Sequence, residues 1–178
     1  MSQVVPWKAF VNKISHYFST LEITRGFFIA VFSSAFIYLD HGGLSHPLLN
    51  TFLGLLSLYL LLQSSTKIWF ISGFFIGLFW FWWIALSLIH YEMVWAAPIE
   101  IVIIMLSYGF LFSFIAWSAE KLSSLFVGCC GDTTPYLFTL LLKALGLLGL
   151  SYIHPFSFDW LKPELMFVES YLGIEKWQ

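Results

Sequence analysis

Long runs without a charged side chain alternate with short polar segments along this sequence. Residues 47–66, 68–89 and 101–119 contain no Asp, Glu, Lys or Arg. A helix needs about 20 mostly apolar residues to cross the ~30 Å hydrocarbon core of a bilayer. Each of the three runs therefore predicts a transmembrane helix.

Two further runs are interrupted by a basic residue. The first becomes long enough as residues 21–39 if the side chain of Arg25 extends to the membrane surface. The second, residues 133–153, carries Lys143 near its middle, where a lysine costs about 2.5–3.5 kcal/mol on insertion scales. The surrounding leucines offset this cost, so we predict a helix in both runs.

The period of the pattern favours helices over strands, because the alternation typical of a transmembrane β-barrel is missing. We predict an all-α fold, a polytopic integral membrane bundle of about five transmembrane helices followed by an interfacial amphipathic segment. The predicted helices lie at about 21–39, 47–66, 68–89, 99–119 and 133–153, between an N-terminal segment 1–20 and a C-terminal segment 154–178.

The basic residues predict the orientation of this bundle. Lys8, Lys13, Arg25, Lys67 and Lys121 all fall on one side of the predicted membrane, whereas the loops at 40–47 and 90–100 contain no Lys or Arg. Cytoplasmic loops carry the excess of basic residues. The pattern therefore predicts a cytoplasmic N-terminus in a bacterial inner membrane and places residues 154–178 on the periplasmic side.

Composition agrees with a membrane location and excludes one class of partner. The chain of 178 residues is 60% hydrophobic, 21% aromatic and 10% charged, whereas soluble domains are about 25% charged. Its mean hydropathy is +0.85. The net charge of -2 and the absence of clustered basic residues exclude a nucleic-acid-binding surface.

Gly73 and Gly77 lie one helical turn apart and share a helix face with Trp80. One interpretation is close helix packing at small residues, with the neighbouring tryptophans forming an aromatic belt. The other is that the groove, with Trp82 and Trp83, accommodates an acyl chain. The packing interpretation is favoured, and the same stripe also offers a surface for self-association.

Candidate chemistry is sparse. The five histidines show no metal-ligand spacing, and no nucleophile elbow or phosphate-binding loop is present. Cys129 and Cys130 are adjacent and lack a basic helper, which is typical of inert thiols. We therefore predict no catalytic residue, metal site or cofactor in this chain.

The C-terminal stretch differs from the rest, because acids and prolines return. Leu165, Val168 and Leu172 recur at helical spacing on one side of this stretch, which predicts an interfacial amphipathic segment. Because the chain ends directly after this short segment, we expect it to be a fragment of a longer protein.

The runs "NTFLGLLSLYLLL" and "SGFFIGLFWFWWIALSLIHYE" resemble the second and third spans of bacterial apolipoprotein N-acyltransferases, in the form found in epsilonproteobacteria. The tail "HPFSFDWLKPELMFVESYLGIEKWQ" is similar to the segment that follows that family's fifth span. The resemblance covers most of the chain. One departure is that the fifth span offers only Lys143 where the family often has an acid and an arginine.

The resemblance implies an enzyme of about eight spans with a nitrilase-like periplasmic domain. A Glu, Lys and Cys triad in that domain would transfer an acyl group from a phospholipid to the amino group of a lipoprotein. No residue of this chain matches the triad, so the chain alone is expected to be inactive.

By the same resemblance, Pro155, Phe156 and Trp160 are the candidates for a surface facing lipid or substrate. The expected partners are membrane lipids, with a phospholipid as acyl donor, and a lipoprotein substrate. The alternative is a non-enzymatic membrane protein, such as a transporter subunit or assembly scaffold, in which Lys143 would be the functional polar residue.

Overall fold

Five α-helices carry the fold in the computed structural model, which describes residues 17–90, 92–130, 134–153 and 162–172. The prediction of an all-helical membrane bundle is confirmed, and these described ranges contain no strand. In chain order the helices are α1 (Thr20–His41), α2 (Pro47–Leu62), α3 (Thr66–His90), α4 (Ala97–Cys130) and α5 (Thr134–Leu150), with 3₁₀ turns at Val94–Ala96 and Pro163–Phe167.

Local sequence determines where α1 and α2 begin. The Oγ of Ser19 accepts a hydrogen bond from the backbone N–H of Glu22 (3.2 Å), and the carboxylate of Glu22 accepts one from the N–H of Ser19 (2.8 Å). This reciprocal pair satisfies two N–H groups that the first turn of a helix leaves free. α2 begins with Pro47, whose missing N–H costs nothing at that position, and the Nδ1 of His46 caps it.

The contacts between helices show their relative directions. Gly26 of α1 lies against Ile71 of α3, and Phe36 lies against Trp80, so these two helices run parallel. α4 runs antiparallel to α3, and α5 runs antiparallel to α4. α3 thus packs between α1 and α4, and its Trp69 is fully buried.

The helices differ in length more than the sequence predicted. Three apolar segments are long enough to cross a membrane by length and composition, namely Thr20–His41, Thr66–Ile84 and Val94–Leu125. α2 has 16 residues, which at a rise of about 1.5 Å spans about 24 Å, less than the ~30 Å hydrocarbon core. α5 has 17 residues and ends at Leu150 rather than at 153. α4, by contrast, continues past 119 to Cys130.

Gly73 and Gly77 allow α3 and α4 to approach closely. A Cβ at Gly73 would lie 2.6 Å from the backbone oxygen of Tyr108 and 2.9 Å from the Cβ of Phe112. A Cβ at Gly77 would lie 3.2 Å from the backbone oxygen of Ile104. The face that the sequence offered for self-association is therefore filled by α4 of the same chain.

We predict that Gly73→Ala destabilises the bundle by about 1–3 kcal/mol, because the new methyl group would overlap a backbone oxygen and a ring that cannot both move away. Gly149→Ala is the matched control, since a Cβ there would meet nothing within 4 Å. The midpoint of unfolding in mixed detergent micelles, followed by circular dichroism, measures both effects. Equal midpoints for the two variants would contradict this account of the α3–α4 contact.

Candidate functional site

Lys143 is buried and donates two hydrogen bonds, although it lies in an apolar helix. Only 5% of the residue is exposed, and its Nζ donates to the backbone oxygen of Ser64 (2.8 Å) and to Oε1 of Glu120 (3.0 Å). The same Nζ lies 5.9 Å from the ring centroid of Trp69. These contacts compensate for the removal of the ammonium group from water.

Glu120 connects this lysine to the start of α3. Its Oε2 accepts a hydrogen bond from the Oγ1 of Thr66 (2.8 Å), while Oε1 binds Lys143. The side chain of Glu120 is 42% exposed, so the ion pair opens to the surroundings on the Glu120 side. We call Lys143, Glu120, Ser64 and Thr66 the Lys143 cluster.

The position of the Lys143 cluster corrects one expectation from the sequence. Ser64 lies in the turn between α2 and α3, so Lys143 lies at the level of a helix end rather than at the middle of the bundle. The α4–α5 hairpin extends past the turn between α2 and α3. The middle of α5, where Lys143 lies, is therefore level with that turn. The sequence did not predict the partnership with Glu120.

The described part of the C-terminal segment packs into the bundle. Pro163–Phe167 forms a 3₁₀ turn, and Met166 is only 2% exposed. A Cβ at Gly54, within α2, would lie 2.9 Å from the backbone oxygen of Met166 and from the ring of Phe167. The close approach to Gly54 draws Met166 and Phe167 inward. That this amphipathic segment lies at the membrane interface stays a prediction.

Hydrogen bonds fasten this segment to the beginning of α2. Glu169, which has a left-handed φ of 57°, accepts a hydrogen bond from the Oγ of Ser45 (2.5 Å). Ser45 in turn accepts one from Asn50 (3.0 Å), and the N–H of Tyr171 donates to the Oγ1 of Thr51 (3.0 Å). A non-glycine residue at positive φ is uncommon, which indicates that the surrounding contacts hold Glu169 in place. We call these residues the α2 latch.

Trp80 lies in the core rather than in a groove. It is 5% exposed, and its ring centroid lies 6.1 Å from that of Phe36. Trp82 and Trp83 face outward, and the Nε1 of Trp83 donates to the backbone oxygen of Trp80 (2.9 Å). Trp80 thus packs against α1, while Gly73 and Gly77 pack against α4.

The candidates for a lipid-facing or substrate-facing surface, Pro155, Phe156 and Trp160, lie outside the described residues, as do the side chains of Cys129 and Cys130. Within the described ranges, no three His, Cys, Asp or Glu side chains come together in a way that could hold a metal ion. The described polar residues of the Lys143 cluster and the α2 latch connect different helices and segments of the fold.

Comparisons with known proteins indicate the family. Residues 20–178 match the family model described as the apolipoprotein N-acyltransferase integral membrane domain. The chain is 38% identical over 149 residues to an apolipoprotein N-acyltransferase of Wolinella succinogenes, covering 84% of this chain and 31% of that protein. It is 34% identical over 160 residues to the corresponding protein of Campylobacter jejuni, covering 88% of this chain and 32% of that protein. The chain thus spans about a third of the length of these relatives, and no solved structure matches it.

We predict that the two partners of the ion pair respond unequally to substitution. Glu120→Ala should destabilise the bundle by about 1–3 kcal/mol, because it leaves a buried ammonium group with a single carbonyl acceptor. Lys143→Met should cost less, because the remaining carboxylate is partly exposed and keeps its bond to Thr66. Detergent unfolding midpoints of both single variants and of the double variant measure the difference, with Lys121→Met as the exposed control. A larger loss for Lys143→Met than for Glu120→Ala would contradict this order.

Proposed function

Because the chain belongs to the apolipoprotein N-acyltransferase family, over that family's integral membrane domain, we propose that it forms the first five membrane helices of such an acyltransferase. The observation that carries the proposal is the family match over residues 20–178, which takes in all five helices. Its role is to hold and orient the catalytic part of the enzyme and its lipid substrate, and it supplies no reacting group itself.

The proposed reaction transfers an acyl chain from a phospholipid to the amino group of an apolipoprotein. A membrane domain suits this reaction, because the donor's chains lie in hydrocarbon and must be presented to groups at the membrane surface. Pro155, Phe156 and Trp160 are proposed to lie at that surface. They follow α5 in the chain, directly before the segment that the α2 latch holds against the bundle.

The α2 latch supports the proposal that this chain positions a catalytic part located elsewhere in the enzyme. It joins residues 169–171 to the beginning of α2, the end of the bundle opposite to the Lys143 cluster. The chain that leaves α5 therefore returns to the bundle through defined polar contacts. The further membrane spans and the catalytic domain that are proposed to follow this segment would then start from a fixed position.

The alternative, a transporter subunit or scaffold, depended on a functional lysine in the middle of a span. Lys143 instead lies beside the α2–α3 turn and forms an ion pair with Glu120. Its charge is therefore used within the fold, and nothing else in the described residues favours that alternative.

A chimaera tests the proposed function. Residues 20–178 would replace the matching part of the Wolinella succinogenes relative, in cells depleted of their own acyltransferase. Mass spectrometry of the N-terminal peptide of a lipoprotein should show the added mass of one acyl chain. The 178-residue chain alone should add none.

Matched variants separate a failure of packing from a failure of the proposal. Gly73→Trp should abolish N-acylation by the chimaera, because it separates α3 from α4, whereas Gly149→Trp should retain it, since that position borders open space. A chimaera that accumulates in the membrane at the normal level but leaves the lipoprotein unmodified would overturn the proposal.

We further propose that the protein lies in the bacterial inner membrane with its N-terminus in the cytoplasm. Lys67 and Lys121 lie at the same end of the bundle as Lys143, next to the turn between α2 and α3. At the opposite end, the connection between α1 and α2 contains no Lys or Arg, and the described C-terminal segment contributes one basic residue, Lys162. This asymmetry is the one expected when the basic end stays in the cytoplasm.

Labelling with a membrane-impermeant maleimide tests the orientation. In a variant without Cys129 and Cys130, Leu44→Cys should react in cells whose outer membrane alone has been permeabilised, because residue 44 would face the periplasm. Gln63→Cys should react only after the inner membrane is opened. Both positions are exposed, so accessibility within the protein is matched. The reverse pattern would show that the N-terminus is outside.

A further inference from the structure

Two adjoining recesses lie on the outer face of α3 and α4, at the end where α3 begins. The first has a volume of about 320 Å³ and is lined by Tyr17, Phe18, Lys67, Phe70 and Phe110, among others. The second has a volume of about 520 Å³ and continues along α4 past Phe114 and Trp117. Because they share Thr66, Phe110 and Ser113, we treat them as one groove, the α3–α4 groove.

The walls of the α3–α4 groove are apolar and open to the surroundings. Phe110 and Phe114 are 62% and 63% exposed, and Trp117 is 50% exposed. Phe70 packs edge-on against Phe110 with a centroid separation of 5.4 Å, and Phe18 stacks on Phe70 at 6.1 Å. The residues before α1 thus add a third wall, which makes this a recess rather than a flat helix face.

Lys67 lines the groove, and a second lysine, Lys121, follows the groove residues along α4. The Nζ of Lys67 donates to the backbone oxygen of Tyr17 (2.7 Å) and lies 4.6 Å from the centroid of its ring, which leaves N–H groups of the ammonium for another acceptor. Lys121 is exposed and follows Trp117 by one helical turn, on the face that lines the groove.

This end of the groove carries an excess of positive charge. Among the described residues, two carboxylates lie at this end of the bundle. The charge of Glu120 is balanced by Lys143 at 3.0 Å, and Glu22 accepts a hydrogen bond from the N–H of Ser19 (2.8 Å). Across the described ranges, no carboxylate forms an ion pair with Lys67 or Lys121. A basic end joined to an apolar aromatic wall is complementary to a lipid with a negatively charged headgroup, since each basic residue near the surface attracts anionic lipid.

We propose that the α3–α4 groove binds one anionic phospholipid, with its phosphate against Lys67 and Lys121 and an acyl chain along Phe110, Phe114 and Trp117. The charge of the lysines selects this occupant over a zwitterionic lipid or an apolar helix. The site lies at the end of the bundle opposite to the α2 latch. It is therefore separate from the proposed acyl-donor surface and does not depend on the proposed function.

Native mass spectrometry of the 178-residue chain tests the site. The protein is titrated with phosphatidylglycerol and, separately, with phosphatidylcholine of the same chain lengths. One phosphatidylglycerol should bind with clear preference. Lys67→Gln and Lys121→Gln should each weaken its binding about fivefold, and the double variant about 25-fold, since the effects of the two charges add. Binding of phosphatidylcholine should not change.

Two further variants distinguish the groove from general charge attraction. Arg25→Gln removes a positive charge from an exposed position on α1 that does not line the groove, and it should leave phosphatidylglycerol binding unchanged. Ser113→Trp fills the groove and should abolish the selective adduct, while circular dichroism shows that the helices are retained.

Three results would overturn the proposal. One is equal binding of the two lipids, and another is an equal loss with Arg25→Gln and Lys67→Gln. The third is a dimer that forms in place of the lipid adduct and is broken by Ser113→Trp, which would show that a second copy of the chain occupies the groove.

Discussion

The close approach of α3 and α4 at Gly73 and Gly77 is the contact on which the rest of the bundle depends. In hydrocarbon the apolar effect does not drive helices together, so association relies on tight van der Waals packing and interhelical hydrogen bonds. α3 is also the helix that α1 contacts, through Gly26 and Ile71. A larger residue at Gly73 would therefore displace α4 and, with it, the α5 helix that α4 holds through the Lys143 cluster.

The hydrocarbon surroundings also determine where the polar groups of the bundle lie. A charge buried in the bundle needs a partner within the protein. Lys143 has two such partners, the carboxylate of Glu120 within α4 and the carbonyl of Ser64 in the turn between α2 and α3. The ion pair fixes the axial register of α5 relative to α4. This explains how a helix of 17 residues with a lysine at its centre can belong to a membrane domain.

The approximate positions of the helices follow from the apolar runs, and Ser19 with Glu22 marks the start of α1. The end of α4 does not follow from them, because this helix continues through Glu120 and Lys121 to Cys130. The partner of each helix face could not be predicted, because a glycine stripe does not specify which helix fills it. A signal for the ion pair was present: Glu120 and Lys143 stand at nearly equal distances from the α4–α5 connection, as facing residues of a helical hairpin do. The inward packing of Met166 had no local signal, since it depends on Gly54, far away in the chain.

The two ends of the bundle are chemically different. At one end, lysines surround the turn between α2 and α3. At the other, Ser45, Asn50 and Glu169 hold the returning chain by uncharged donors and a single carboxylate. The excess of basic side chains at the first end favours anionic headgroups there. The groove proposed to bind an anionic lipid therefore lies at the basic end, away from the end at which the α2 latch holds residues 169–171.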